Sequence, residues 1–215
     1  MKLIGSTSGN VAEVNSENAL KVTDSPPAGS YYAIAAKTGT VGAAIAAGGA
    51  VYVQRVNPGY SGKIYIDRMR LRYTTIVAYT TPITQTRSIV VKRGAGAAAS
   101  GGTSLANAAK KDTGYSASNC DVATGGDTRI ATTAALTVTG ITFETVNFAE
   151  MTLAHVGAAG AYQEALIDLT NARGHPIELN AGELIAVTVG ASAMDAAGTW
   201  SLDVDINWRE STTEA

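Results

Sequence analysis

Two aspartates near the end of the chain, Asp203 and Asp205, have a D-x-D spacing that could help to hold a divalent cation. Such a hard cation needs several more oxygen ligands that converge from elsewhere in the chain. In the surrounding stretch, GTWSLDVDINWRE, apolar and polar residues alternate with a period of two, which is typical of a strand with one buried face. We therefore predict a strand over 198–210 that holds no metal and keeps both aspartates exposed or at a subunit contact. The predicted core residues of this strand are Trp200, Leu202, Val204, Ile206 and Trp208.

The glycine-rich stretch GAGAAASGGTS at 94–104 could cradle a phosphate with its backbone amides. A P-loop, however, needs a lysine where Gly102 stands, and a dinucleotide fingerprint needs a glycine where Ala99 stands. No strand–helix–strand pattern surrounds the stretch either. We therefore predict a surface loop here and expect no cofactor.

Other residue types that could act in catalysis lack partners at suitable spacing. His155 and His175 lie outside any zinc-binding motif, although a ring of histidines around the symmetry axis of an oligomer is an alternative. Cys120 is the single cysteine, and we expect it to be a bystander rather than a nucleophile. Glu144 and Glu150 have no aromatic-rich sugar platform beside them. The sequence therefore predicts no catalytic residue and a non-enzymatic protein.

Three arginines in the stretch DRMRLRY are the most informative cluster in the chain. Strand alternation places Arg68, Arg70 and Arg72 on one face and the apolar residues between them on the other. Three like charges on one strand face repel one another unless something negative lies opposite. The partner could be the chain's own acidic strands, an acidic surface of another subunit, or packaged nucleic acid. We predict a contact with another subunit or with a capsid at these three arginines.

The charge of the chain is unevenly distributed although its formal net charge is only -2. Residues 55–93 contain eight basic residues and one acidic residue, whereas acidic residues outnumber basic ones from residue 94 onward. Such asymmetry bears on contact surfaces rather than on the fold. Strong binding to nucleic acid needs a net basic surface, so the acidic balance disfavours direct nucleic-acid binding.

The elements that must position these residues are strands. The chain has 215 residues, 46% of them hydrophobic, and 23 glycines that separate short β-prone runs. We predict an all-β fold: a single-domain antiparallel β-sandwich, jelly-roll-like, over 31–215, with an extended N-terminal arm over 1–30. A flexible Gly/Ala/Ser-rich loop is predicted at 94–127, with one or two helical turns near SLANAAKK.

Further predictions concern single segments. The run at 63–79 is too long for one regular strand, so a bend or bulge is expected within it. The stretch at 161–170 could be helix or strand, and its β-rich surroundings favour a strand. The most apolar run, at 41–51, is too short to cross a bilayer, and we expect neither a membrane span nor a signal peptide.

The two ends of the chain resemble tailed-bacteriophage virion structural proteins. Near the start, the residues that carry the resemblance are Gly9, Ala12, Glu13, Val14, Leu20, Lys21 and Val22. Near the end, the turn ELNAGE at 178–183 precedes a strand, and a G-T-W strand ending in W-x-E closes the domain. The resemblance covers roughly the first 25 and the last 35 residues, and no motif between them is matched.

This resemblance implies a structural role in a virion and no catalytic residues. The expected function is that of a capsid decoration or cement protein that stabilises the phage head through contacts between subunits. The implied partners are the major capsid protein or other virion proteins, the implied oligomer is a homotrimer, and the implied location is the virion, assembled in the host cytoplasm. Alternatives are a tail or head-fibre component that contacts the host surface and, from another class, a carbohydrate-binding β-sandwich module.

Overall fold

The fold is described from a computed structural model. The described residues are 2–4, 11–14, 20–21, 29–42, 45–79, 87–153, 159–168, 176–195 and 197–211. His155 and His175 lie outside these ranges, so the predictions about them stay predictions. In the described ranges the only helical element is a single 3₁₀ turn, Val122–Thr124. No helix in this part of the chain is long and apolar enough to cross a membrane.

Seventeen strands make up the described secondary structure. In chain order they are Lys2–Ile4 (β1), Val11–Val14 (β2), Leu20–Lys21 (β3), Ser30–Lys37 (β4), Val41–Gly42 (β5), Ala50–Arg55 (β6), Lys63–Val77 (β7), Arg87–Gly96 (β8), Thr103–Ser104 (β9), Ala109–Lys110 (β10), Asp127–Ile130 (β11), Ile141–Phe143 (β12), Ala149–Leu153 (β13), Tyr162–Asp168 (β14), Ile177–Leu179 (β15), Glu183–Val189 (β16) and Thr199–Ser211 (β17).

Two antiparallel sheets form the sandwich. The first has the order β10-β4-β17-β7-β14, with β15 also paired to β7 and β5 to β17. The second has the order β12-β8-β16-β6-β11-β9, with β13 also paired to β8. The eight main strands alternate between the sheets along the chain except at β8 and β13, which pair with each other in the second sheet. The resulting orders, β4-β17-β7-β14 and β6-β16-β8-β13, are the two four-strand sheets of a jelly roll. The predicted all-β, antiparallel, jelly-roll-like sandwich is therefore confirmed.

Strand β17 lies in the middle of the first sheet, and its predicted core face is confirmed. Trp200, Leu202, Val204, Ile206 and Trp208 are each at most 1% exposed. The two tryptophans stack on tyrosines of the neighbouring strands, at 5.5 Å between ring centroids for Trp200 and Tyr73 and 5.7 Å for Trp208 and Tyr32. Such offset aromatic pairs add to the stabilisation that comes from apolar burial.

Strand β7 contains the irregularity that its length predicted. Asn207 of β17 pairs with Arg68, but the next residue, Trp208, pairs with Ile66, so Asp67 is an extra residue on β7. This bulge shifts the alternation by one residue. It keeps the core face continuous although the buried residues change from even to odd positions, Ile64 and Ile66 before it and Met69, Leu71 and Tyr73 after it.

The segment 94–127 extends the edges of both sheets. Strand β9 pairs with β11 in the second sheet, and β10 pairs with β4 in the first. The helical turns expected at SLANAAKK do not form, because Ala109 and Lys110 instead complete the open edge of β4 beside Ala33 and Tyr32. Further along, Ser118, Cys120 and Asp121 are buried. The flexibility predicted for this segment stays a prediction.

The described parts of 1–30 include three short strands that pair with one another. β1 pairs with β2 and β2 pairs with β3, both antiparallel, in a sheet separate from the two large ones. Strand β4 begins at Ser30, next to the predicted boundary between the arm and the sandwich. The division of the chain into an arm over 1–30 and a sandwich domain over 31–215 stays a prediction.

Candidate functional site

The predicted arginines lie on the outer face of the first sheet, in the middle of a charged surface. Strand β7 runs between β17 and β14, so each arginine has a neighbour on both sides. Arg72 pairs in register with Asp203 and Glu164, and Arg70 pairs with Asp205. We call this surface, defined by Arg68, Arg70, Arg72, Glu164, Asp203 and Asp205, the arginine face.

Arg70 is held by carboxylates of its own chain. Its Nε lies 2.8 Å from Glu164 Oε1 and its second terminal nitrogen donates to Glu164 Oε2 at 3.0 Å, which is a bidentate pair. Asp205 is more distant, with 3.9 Å between its Oδ2 and the other terminal nitrogen. The hydrogen bond from Arg70 lowers the pKa of Glu164, and the same bond raises the pKa of Arg70. Of the three partners considered for the arginines, the chain's own acidic strand supplies the one for Arg70.

The other two arginines have different surroundings. The guanidinium of Arg72 lies over the ring of Tyr162, 4.6 Å from its centroid, while that ring is itself 61% exposed. The side chain of Arg68 is exposed on the same face. A contact of these arginines with another subunit is still a prediction.

The two aspartates of the D-x-D pair point outward, as predicted. Their side chains are 29% exposed for Asp203 and 42% for Asp205, and Lys37 Nζ lies 3.5 Å from Asp203 Oδ1. Beside them the small side chain of Ala35 leaves a shallow depression of about 340 Å³ between Lys37 and Arg70. Among the described residues, no group of three or more histidine, cysteine or acidic side chains could hold a metal ion.

Three further sequence candidates, Glu144, Cys120 and the glycine-rich stretch, lie in structural environments of their own. Glu144 pairs with Arg93 at 2.7 Å, and the buried Cys120 has a thiol whose pKa is raised by burial. In the glycine-rich stretch the amide of Ala99 donates to the carboxylate of Asp127 at 2.9 Å. This loop therefore does bind an anion with a backbone amide, but the anion is a side chain of the same protein.

A second site lies at one end of the sandwich, where β4 begins and β17 ends. Tyr32, Tyr60 and Tyr115 line a pocket of about 410 Å³ together with Asn119 and Glu210. We call it the tyrosine pocket. Tyr32 is buried, whereas Tyr60 and Tyr115 are half-buried and border the opening.

Local structure positions the two rim tyrosines. The N-P-G-Y sequence at 57–60 forms a turn in which the Asn57 side chain accepts from the amide of Gly59 at 2.8 Å. The ring of Tyr60 then lies against Gly62, where any Cβ would come within 2.6 Å of the phenol oxygen. On the opposite side, Tyr32 donates its hydroxyl to the carbonyl of Ser116 at 3.0 Å, and its ring is tilted against Tyr115 at 6.2 Å.

Glu210 is the charged group of the pocket, and it is only 5% exposed. Its carboxylate accepts from Ser118 Oγ at 2.6 Å, from Trp208 Nε1 at 3.1 Å, and from both the backbone amide and the side-chain amide of Asn119, the latter at 2.8 Å. Burial and then the Glu210 carboxylate raise the pKa of Tyr60 to about 12. The negative charge of Glu210 thus helps to raise the pKa of both Tyr60 and Tyr32.

Sequence reasoning missed the tyrosine pocket, although one signal was present. The apolar positions of β17 are even-numbered from 200 to 208, and position 210 continues the same phase. A carboxylate in that phase is a buried carboxylate, which must find donors. Its donors Ser118 and Asn119 lie about 90 positions away, and no local pattern indicates them.

No known protein-family model matches the chain, and no curated protein sequence matches it either.

Proposed function

We propose that this protein is a non-enzymatic structural component of a phage virion, a decoration or cement protein that stabilises the head through contacts between subunits. The observation that carries the proposal is the arginine face, on which the arginines of β7 lie between acidic residues of β14 and of β17. Such a surface suits a partner with a complementary pattern, because electrostatic complementarity fixes register and partner choice. The resemblance at the two ends of the chain points to the same class.

The fold is compatible with this role without deciding it. Jelly rolls occur in viral capsid proteins and in lectins, so the fold alone favours neither an assembly protein nor a carbohydrate-binding module. The arginine face is the feature that favours an assembly protein over a carbohydrate-binding module. Arg68 is exposed and Arg72 keeps its guanidinium on an exposed tyrosine, so both can meet carboxylates of a second chain or of the major capsid protein.

The location of the protein is tested first. Virions of the phage that encodes it are purified, and heads and tails are separated and analysed by mass spectrometry and by immunogold labelling. We expect the protein on the head, as trimers when it is released and examined by native mass spectrometry. Labelling of the tail would support the fibre alternative instead, and absence from the particle would refute a virion role.

The contact is tested by adding purified protein back to heads that lack it. Replacing Arg68, Arg70 and Arg72 by glutamine should weaken binding roughly tenfold at low salt and reduce its salt dependence, since such charges are screened over about 8 Å at physiological ionic strength. Arg68→Gln and Arg72→Gln should cause most of the loss, because Arg70 is already paired with Glu164.

A matched control removes the same charge from the other sheet. Arg55, Lys92 and Arg93 lie on β6 and β8, and their triple replacement by glutamine should leave binding unchanged. Equal weakening by both triple variants would mean that net charge rather than the arginine face governs attachment. Unchanged binding of the arginine-face variant in both low and high salt would refute the contact.

A further inference from the structure

The tyrosine pocket contains a buried carboxylate, Glu210, whose hydrogen-bond donors among the described residues are all neutral. The groups that bond to the Glu210 carboxylate are a hydroxyl, an indole, a carboxamide and a backbone amide. Among the described residues, no lysine or arginine nitrogen lies within ion-pair distance of it. The carboxylate therefore has no basic partner among the described residues and lies next to an open pocket, where a cation is the complementary species.

The aromatic rings of the pocket also attract cations. Tyr60 and Tyr115 border the opening and Tyr32 lies deeper, stacked on Trp208. The face of an aromatic ring attracts cations, and several rings around one site form the kind of cage that recognises ammonium groups. The hydroxyl of Tyr32 is engaged with Ser116, and its buried ring packs against both Trp208 and Tyr115, so this residue supports the pocket and leaves Tyr60 and Tyr115 to contact a ligand.

We propose that the tyrosine pocket binds an organic cation, an ammonium or guanidinium group, with Glu210 supplying the charge and the rings of Tyr60 and Tyr115 contacting the cation. The cation could be a free small molecule or the basic side chain of a partner protein, since both present the same chemistry. This site lies at the end of the sandwich, apart from the arginine face, and the inference does not depend on the proposed function.

A sugar fits the pocket less well than a cation does. Recognition of a sugar needs acceptors for its hydroxyl groups, and a carboxylate has about four such lone-pair positions. Glu210 already accepts from Ser118, Trp208 and twice from Asn119, so it has little acceptor capacity to offer. Its charge acts over a longer distance than its hydrogen bonds and remains available to a cation.

Binding is measured by isothermal titration calorimetry and by NMR with three cations: choline, Nα-acetyl-arginine amide and Nα-acetyl-lysine amide. The neutral isostere 3,3-dimethyl-1-butanol and glucose are the comparison ligands. We expect at least one cation to bind at least tenfold more tightly than the isostere, and glucose not to bind. Tight binding of choline alone would identify a free small molecule, and preference for either amino-acid amide would identify a partner's side chain.

Substitutions test whether the cation binds in the tyrosine pocket. Tyr60→Leu and Tyr115→Leu should each weaken cation binding by about fivefold or more, because each removes one ring of the cage. Tyr162→Leu is the matched control, since this tyrosine is exposed on the arginine face, and it should bind as the parent does. Glu210→Gln should reduce binding further. If that variant fails to fold, the two leucine variants and the isostere still decide the matter.

Three results would overturn the proposal. The first is equal binding of choline and its neutral isostere, which would leave no role for charge. The second is glucose binding that is lost in Tyr60→Leu and Tyr115→Leu, which would make the pocket a sugar site. The third is failure of all three cations to bind at the highest concentration that can be tested.

Discussion

Strand β17 carries acidic side chains on both of its faces, and their environments differ sharply. Asp203 and Asp205 point outward to the arginine face, where they are partly exposed and lie beside three basic side chains, Lys37, Arg70 and Arg72. Glu210 points inward at the end of the same strand and is held by the donors of Ser118, Asn119 and Trp208. The phase of a residue along the strand, rather than its type, decides whether its charge is solvated by water or by the protein.

This difference has energetic consequences. Exposed ion pairs contribute little to stability because water competes with them and ordering two long side chains costs entropy. Hydrogen bonds from buried donors to a charged group contribute more, and losing the acceptor leaves those donors unsatisfied. Equivalent substitutions on the two faces of β17 should therefore have very different effects on folding.

The largest effect is expected for Glu210→Ala. The buried donors Ser118 Oγ and Trp208 Nε1 and the amides of Asn119 would lose their common acceptor, which should lower the free energy of unfolding by about 3 kcal/mol. Urea unfolding followed by tryptophan fluorescence measures the change. Glu210→Gln, which keeps an acceptor oxygen, should lose less. If Glu210→Ala unfolds at the same urea concentration as the parent, the carboxylate does not hold this end of the sandwich.

The sequence could predict strand β17 but not the hydrogen bonds that hold Glu210. Alternation from Trp200 to Trp208 indicates a buried face, and the shift from even to odd apolar positions around Asp67 indicates the bulge in β7. Both are local patterns that act along one strand. Two of the residues that donate to Glu210, Ser118 and Asn119, come instead from a segment inserted between β8 and β12, and the fold brings them to the end of β17.

The arginine face was likewise only partly predictable from the sequence. The phase of Arg68, Arg70 and Arg72 follows from DRMRLRY alone, so their shared face was predictable. Which acidic strand lies beside them depends on sheet order, and β14 is almost 100 positions away in the chain. Sheet order arises from packing and chain connectivity, which a short sequence window does not contain.

A smaller effect is expected for Trp208→Phe. The phenyl ring can keep the stack on Tyr32, but the variant loses the indole N–H that donates to Glu210 at 3.1 Å, together with some buried volume. We expect a loss of about 1–2 kcal/mol in the free energy of unfolding. Trp200→Phe is the control at the other end of the strand, where no bond to a carboxylate is lost. Equal losses in both variants would show that volume alone matters.

The pH dependence of the pocket gives a further test. Because burial and Glu210 raise the pKa of Tyr60 to about 12, the folded state holds this phenolic proton more tightly than the unfolded chain, whose tyrosines ionise near pH 10. Stability from this group is fully present below about pH 10 and is lost as the pH rises toward 12. Absorbance of tyrosinate during alkaline titration, compared between the parent and Tyr60→Phe, should assign one late-ionising phenol to Tyr60. If the phenol missing from Tyr60→Phe is one that ionises near pH 10 in the parent, the assignment is wrong.

The smallest effect is expected on the outer face, at the pair between Lys37 and Asp203. Its charged atoms are 3.5 Å apart, and the two side chains are 55% and 29% exposed, so water competes with the pair throughout. A double-mutant cycle with Lys37→Gln and Asp203→Asn should give a coupling free energy of about 0.5 kcal/mol or less, and molar salt should reduce it further. Urea unfolding of the parent, both single variants and the double variant measures this coupling. A coupling as large as the loss in Glu210→Ala would mean that the outer face is sheltered from water, as it would be if a neighbouring subunit covered it.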